Sequence, residues 1–392
     1  MDTTDDIVIP ADTSWLKDKN AQAVCRALTA GGHQALFVGG CVRNALLGLP
    51  DSDVDISTDA LPDQTTNCAQ VAGLKAVPTG IDHGTITVIA GGTPFEVTTF
   101  RRDVQTDGRR AVVAYSTDIA DDARRRDFTM NALYATPDGK VLDPLGGMPD
   151  LMARRIRFIE DADARIQEDY LRILRFFRFS AWYANPDEGF DTAALSAIAQ
   201  NIEGIQTLSA ERVGQEMRKL LAAPDPARAL AGMRSTGAQQ HVLPGADDRW
   251  IGPIVHMEQT LTLDPAWLCR LAALGGEDPT TRLRLSKAEM RHLTHLRDAA
   301  YGAQSLAEIA YRHGPQVARQ VLLLRCAMAE KMPETGALET IHTAAEQKFP
   351  IHSSDLRPTF EGPDLGARLA ELEARWIASN FTLTKDALLD LP

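Results

Sequence analysis

The sequence predicts an α+β fold, a mixed strand-and-helix head followed by an all-helical C-terminal region, on three observations. Short β-branched segments with period-two alternation are confined to the N-terminal part of the 392 residues. From about Leu151 onward, stretches with helical apolar spacing such as "EDYLRILRFFRFSAWY", "SAERVGQEMRKLLAA" and "AYRHGPQVARQVLLLRCAMAEKM" take over. Between the two patterns, "DPLGGMPDL" from Asp143 to Leu151 concentrates Pro, Gly and Asp and marks the junction.

Residues 14 to 31 read as one helix from the spacing of Trp15, Ala21, Val24 and Leu28, stopped by Gly31 and Gly32. "QALFVGG" reads as a buried strand entering a turn. "VRNALLG" resumes helical spacing and ends at Gly48, with Pro50 just beyond. "DVDIST" alternates carboxylate and apolar residues, as a strand with one wet face does. "GTITVIA" and "TPFEVTTF", separated by Gly91 and Gly92, read as a hairpin.

Composition narrows the function classes. The formal charge of −12 argues against indiscriminate coating of nucleic acid, which relies on Lys and Arg. Arg outnumbers Lys 32 to 9, which leaves room for a local guanidinium-rich face, although a GC-rich genome also inflates Arg. The five scattered cysteines form neither a disulfide framework nor a Cys-x-x-Cys site, so they are expected to be reduced. The acidic start "MDTTDDIVIPAD" lacks the positive region of a signal peptide, and no apolar run approaches the roughly 18 residues of a membrane span. A cytoplasmic protein off the membrane is expected, with no obligate protein partner evident.

The chemistry-bearing residues begin at Gly39 and Gly40, between strand and helix, where bare backbone and a helix N-terminus can face a phosphate. Arg43, one turn later, could reach the same anion. Asp53 and Asp55, two apart on the expected strand, project to one face and can hold hard cations together, as in two-metal phosphoryl transfer. Glu96, on a neighbouring strand, could add a third carboxylate.

Around these residues, "GGCVRNALLG…DSDVDIST" resembles the first motif of the family of class II tRNA nucleotidyltransferases and bacterial poly(A) polymerases, Gly-Gly-x-Val-Arg-Asp followed by Asp-x-Asp. "ARRRDFTMNALY", "DPLGGMPDLMARRIRFI", "EDYLRILRFFRF" and "SAERVGQEMRKLL" resemble its later motifs in order, so the resemblance spans Phe37 to Leu221. It departs at Asn44, where the family usually has Asp.

The resemblance implies a polymerase-beta-like nucleotidyltransferase head over residues 14–150. A helical neck over 151–221 would select the base, and a helical body and tail over 222–392 would bind tRNA. It further implies Mg²⁺ on Asp53 and Asp55, catalysis by these two, which the strand pattern would let Glu96 join, and contacts from Arg125, Arg126 and Asp127 to ribose and phosphates. Asp169 and Arg172, three apart, would face the base: a carboxylate accepts from the amino group shared by cytosine and adenine, and a guanidinium donates to the adjacent ring nitrogen. Arg175 and Arg178 would support that pair or line the site.

Among relatives, "KAVPTGIDHGTITVI" lacks the basic segment of the poly(A) polymerases, and "DVQTDGRRA" fits the flexible loop linked to the switch from C to A addition. The expected activity is CCA addition to tRNA from CTP and ATP. Poly(A) polymerase or an A-adding enzyme remain alternatives within the family, and a catalytically silent nucleotide or RNA binder outside it. His292 and His295 are expected to be ordinary helix-face residues.

Overall fold

A computed structural model describes residues 7–107, 110–357 and 359–391. Tertiary contacts divide the chain into two compact units, Met1–Glu216 with Gly232–Val242, and Met217–Ala231 with Leu243–Pro392.

The first unit is built on a seven-stranded mixed sheet in the order β3-β4-β5-β2-β1-β8-β9. These strands are β1 (Leu36–Val38), β2 (Asp55–Thr58), β3 (Lys75–Gly80), β4 (Thr85–Ala90), β5 (Thr93–Thr99), β8 (Tyr134–Ala135) and β9 (Val141–Leu142). β2 and β5 pair in parallel and every other neighbour pair is antiparallel. The expected hairpin is β4–β5, and both turn glycines have positive φ, 57° at Gly91 and 86° at Gly92, as a tight hairpin turn of the primed type requires. Alternation buries Phe95 and Val97 and leaves Glu96 on the opposite face.

The expected helix over residues 14–31 is two helices, α1 (Ser14–Lys17) and α2 (Lys19–Ala30). Asp18 divides them: its carboxylate accepts from Asn20 N at 2.9 Å and caps the second helix, a local bond that competes with helix continuation. The helix α3 (Gly40–Leu47) starts after Gly39, φ 72°, and ends at Gly48, φ 64°, both in conformations that a Cβ disfavours. With α4 (Pro62–Val71), these helices flank the sheet, and the Trp15 ring packs on Phe37 with centroids 4.7 Å apart.

A separate two-stranded sheet, β6 (Arg101–Asp107) and β7 (Arg110–Tyr115), occupies the segment expected to be a flexible loop. Gly108 and Arg109 of that loop lie outside the described residues. The expected long helix "EDYLRILRFFRFSAWY" is interrupted: one helix ends at Glu168 and the next runs Leu171–Tyr183, burying Leu171, Ile173, Leu174, Phe176, Phe177 and Phe179. Its phenylalanines join Phe128, Phe158 and Phe190 in one aromatic cluster.

In the second unit all the regular elements described are helical. Arg270 is fully buried there, donating to Leu221 O at 2.7 Å and pairing with Glu258 at 2.5 Å, so its charge is neutralised where water cannot reach. All five cysteines are buried and free. No helix among the described residues is long and apolar enough to cross a membrane.

Candidate active site

Asp55 opens β2 and lies opposite Glu96 of β5 in the parallel register. Asp53 sits two residues before the strand, in a segment without regular structure, a difference from the expected in-strand pair. The three carboxylates nonetheless line one cavity of about 870 Å³, together with Ser14, Trp15 and Thr87. Although Asp55 keeps solvent contact, desolvation of its carboxyl and the neighbouring Glu96 and Asp53 charges push its pKa up to about 6, with Arg126 opposing. Like charges crowd here without enough counter-charge, and an all-oxygen donor set of this kind suits a hard divalent cation. Among the described residues no group of three or more His, Cys, Asp or Glu side chains closes on a metal position by itself, so other oxygens would complete the coordination of any cation.

Beside Asp55 stands a cationic wall. The Arg126 guanidinium lies against Gly39, whose missing Cβ would sit 3.4 Å from Nη1. Nε of Arg126 donates to the Tyr134 hydroxyl at 3.2 Å, and Nη2 to Asp122 at 3.0 Å. Arg125 donates to the other oxygen of Asp122 at 2.9 Å. Burial opposes ionisation of Asp122, but the two guanidiniums and the Tyr134 hydroxyl outweigh it and hold its carboxyl down at about 2. At α3 the first helical bond runs from Arg43 N to Gly39 O and no side chain caps the start, so the N–H groups of Gly40, Cys41 and Val42 have no partner within the helix, while that of Gly39 donates to Leu133 O at 3.2 Å. At Gly40 a Cβ would meet only the Ser52 hydroxyl, at 2.8 Å, which Ser52 could relieve by rotating about χ1.

Arg43 turns away from that wall. Only 5% exposed, it donates to Asn131 Oδ1 at 2.6 Å, to Asn44 Oδ1 at 2.8 and 3.1 Å and to the Tyr183 hydroxyl at 2.8 Å, with its guanidinium 4.0 Å from the Tyr183 ring centroid. None of these acceptors is a carboxylate, and burial lowers its pKa. Asn44 uses both ends of its amide, because Nδ2 donates to Pro50 O at 2.8 Å. A carboxylate could hold Arg43 but could not make that second bond, which ties α3 to the segment leading to Asp53.

Asp127 is buried and links the head to the next helix. Its Oδ1 accepts from Asn131 at 2.8 Å and its Oδ2 from Arg175 Nε at 2.7 Å. Burial would raise its pKa, yet Arg175 and the Asn131 and Phe128 donors hold it at about 2. Arg175 also lies 4.0 Å from Glu216, which pairs with Arg178 at 2.5 Å.

Asp169 and Arg172 do not share a helix, because Asp169 falls in the break before Leu171. There its Oδ1 accepts from Leu171 N at 3.1 Å and its Oδ2 from Arg212 at 2.6 Å, leaving the side chain 32% exposed. Arg172 donates to Arg165 O at 2.6 Å and Arg125 O at 2.9 Å and pairs with Glu168, so part of its five-donor fork stays available. Sequence reasoning passed over Asp122, Asn131, Tyr134, Tyr183, Arg212 and Glu216. The one local signal was the pair Arg175 and Arg178, three apart, whose shared helix face calls for an acid. His292 and His295 lie on the Lys287–Tyr301 helix; His292 bonds Gln320 at 2.8 Å, and the His295 ring packs on His313.

Residues 35–157 match the family described as the Poly A polymerase head domain, and residues 190–249 the one described as a probable RNA and SrmB-binding site of polymerase A. The chain is 32% identical to the mitochondrial CCA tRNA nucleotidyltransferase 1 of Mus musculus, over 91% of this chain and 86% of that protein. It is also 32% identical to the CCA-adding enzyme of Streptococcus pyogenes, over 91% of each. The crystal structure of the Bacillus stearothermophilus CCA-adding enzyme in complex with CTP superposes with a TM-score of 0.73 at 26% identity, covering 92% of this chain and 93% of that one. The Thermotoga maritima CCA-adding enzyme complexed with tRNA shares the fold, with a TM-score of 0.67 at 18% identity over 94% and 93% of the two chains. With the head motifs in order, the carboxylates on adjacent strands and relatives of this identity along nearly its whole length, the chain belongs to the CCA-adding tRNA nucleotidyltransferase family.

Proposed function

We infer that this chain completes tRNA 3′ ends, adding C, C and A from CTP and ATP without a nucleic-acid template and releasing pyrophosphate. The observation that carries the reading is the juxtaposition of Asp55, Glu96 and Asp53 with the Gly39–Arg126 wall, an acidic patch for cations beside a cationic patch for phosphates. Enzymes of this family are typically metal-dependent. In this chain Asp53 and Asp55 would hold Mg²⁺, with Glu96 as the adjoining carboxylate. Bound there, it supplies Lewis-acid stabilisation to attacking and leaving oxygens.

The residues of the chain do the rest. The terminal ribose hydroxyl of the RNA attacks the α-phosphorus and the bond to pyrophosphate breaks. Gly39, Gly40 and Arg126 face the phosphates: the Gly39 N–H is taken by Leu133 O at 3.2 Å and this residue offers bare backbone, while the N–H groups that follow it at the helix start and the guanidinium suit anions. Arg125 and Asp127 border the ribose. Arg43 orients this wall from behind rather than from within it. Asp169 and Arg172 read the amino-and-acceptor edge common to cytosine and adenine, with Arg175 and Arg178 as supports. Residues 14–150 then carry the chemistry, 151–221 base selection and 222–392 the grip on tRNA, in the cytoplasm.

The test supplies each triphosphate in turn, with Mg²⁺, to tRNA transcripts ending before CCA, after CC or in full. Incorporation of C, C and A followed by arrest is expected. Unlimited A addition would make the chain a poly(A) polymerase, and no incorporation would make it a silent binding module.

A further inference from the structure

The second unit contains a cavity of about 210 Å³ that none of the roles above uses. Its floor is apolar, with Leu324, Ala327 and Met328 from the Pro315–Met328 helix, and its walls include Trp250 and the backbone of Gly275 and Gly276. Two residues one turn apart on the Lys287–Tyr301 helix complete it, Arg297 and Tyr301.

Both are unusual. Arg297 donates to Gly275 O at 2.9 Å, but no carboxylate among the described residues pairs with it. Burial lowers its pKa, and the Tyr301 phenol opposes that shift. Arg297 is half-buried at the edge of this space and has donors beyond the one that Gly275 O takes. Tyr301 is 81% exposed, a large ring presented at the mouth of that space with little protein against it.

We propose that this cavity binds a single unpaired nucleobase of the RNA substrate, its ring against Tyr301 and its carbonyl or ring-nitrogen edge on Arg297. The proposal rests on the reading of this chain as a tRNA-modifying enzyme. Charge complementarity favours this occupant: a base edge brings acceptors to an arginine that has no acid of its own. A face of aromatic and aliphatic groups suits a flat ring, and RNA is read chiefly through bases freed from stacking. The small volume holds one ring system and not a helix or strand of another protein.

The test compares Tyr301→Ala and Arg297→Gln with wild type in the full chain, using a tRNA transcript that lacks its CCA end. Dissociation constants are measured as a function of salt, and KM for CTP at saturating RNA. The expected result is a loss of RNA affinity on the order of tenfold in Tyr301→Ala, with an unchanged salt slope because stacking releases no counterions. Arg297→Gln weakens binding as well, and KM for CTP stays constant in both. Wild-type RNA affinity in both variants would overturn the proposal. So would a silent Tyr301→Ala beside an Arg297→Gln whose salt slope falls by about one, the mark of a phosphate contact. Wild type that incorporates no nucleotide would instead sink the activity reading, which the binding curves do not depend on.

Discussion

Replacing Asp55 by Asn should stabilise the metal-free protein while destroying nucleotide addition. The carboxyl is raised from 3.8 to about 6, so the folded state holds its proton more tightly than the unfolded chain does. Above pH ~6 the ionised group is therefore a cost; the cost fades as pH falls through 6 and is gone below about 4, where both states are protonated. In a site sealed from water, proton affinity raised by that much would correspond to about 3 kcal/mol, at about 1.4 kcal/mol for each tenfold change. Solvent exposure of the residue screens this to about 1 kcal/mol. Calorimetric or denaturant unfolding in EDTA should then show Asp55→Asn more stable than wild type by that amount at pH 8 and equal to it at pH 4. Mg²⁺ at a hundred times its Kd should add about 2.7 kcal/mol to wild type at pH 8 and far less to the variant. Activity should fall about a thousandfold or more, the equivalent of several kcal/mol of transition-state stabilisation. A variant less stable than wild type in EDTA at pH 8, or one that responds to Mg²⁺ as wild type does, would refute the argument that unneutralised carboxylates define the cation site.

Three further outcomes follow from the supporting network. Asn44→Ala removes the acceptor for two Arg43 donors and the tie to Pro50, at a cost of about 2–3 kcal/mol in denaturant unfolding; Asn44→Asp should recover the share due to Arg43 and not the share due to Pro50, because only the amide donates to Pro50 O. Asp127→Asn leaves the Arg175 guanidinium with only Glu216 at 4.0 Å as an acidic partner and should cost about 3 kcal/mol at pH 7. Since the Asp127 pKa is held at about 2, its stabilisation is present above about 4 and lost as pH falls toward 2, so the gap between variant and wild type in unfolding free energy should close over that range. Arg212→Ala frees one oxygen of Asp169 and should raise KM for CTP and ATP about tenfold with a smaller effect on kcat, measured by steady-state incorporation; unchanged KM for both nucleotides would mean that Arg212 does not position Asp169.

The local parts of the site were legible because local physics forms them. Gly39 and Gly48 bracket α3 by positive φ, and alternation set Glu96 on the face opposite Phe95 and Val97. Where a side chain competes with the backbone, the reading from spacing went astray. Asp18 caps a helix in the middle of an apolar period, and Asp169 occupies the break before Leu171. Both are residues whose carboxylates offer the chain a bond other than the next helical one.

From its sequence alone this protein showed an α+β head, a helical remainder and a run of motifs that assigns its family, since each depends on residue type and spacing within a few turns. The tertiary structure alone decided which groups meet. Arg43 finds Asn131 and Tyr183, 88 and 140 residues away, Asp169 finds Arg212 at a separation of 43, and β2 lies between β1 and β5 rather than beside its next neighbour in the chain. Such pairings are fixed by long-range packing of buried charge and aromatic surface, a free-energy balance that no window of the sequence contains.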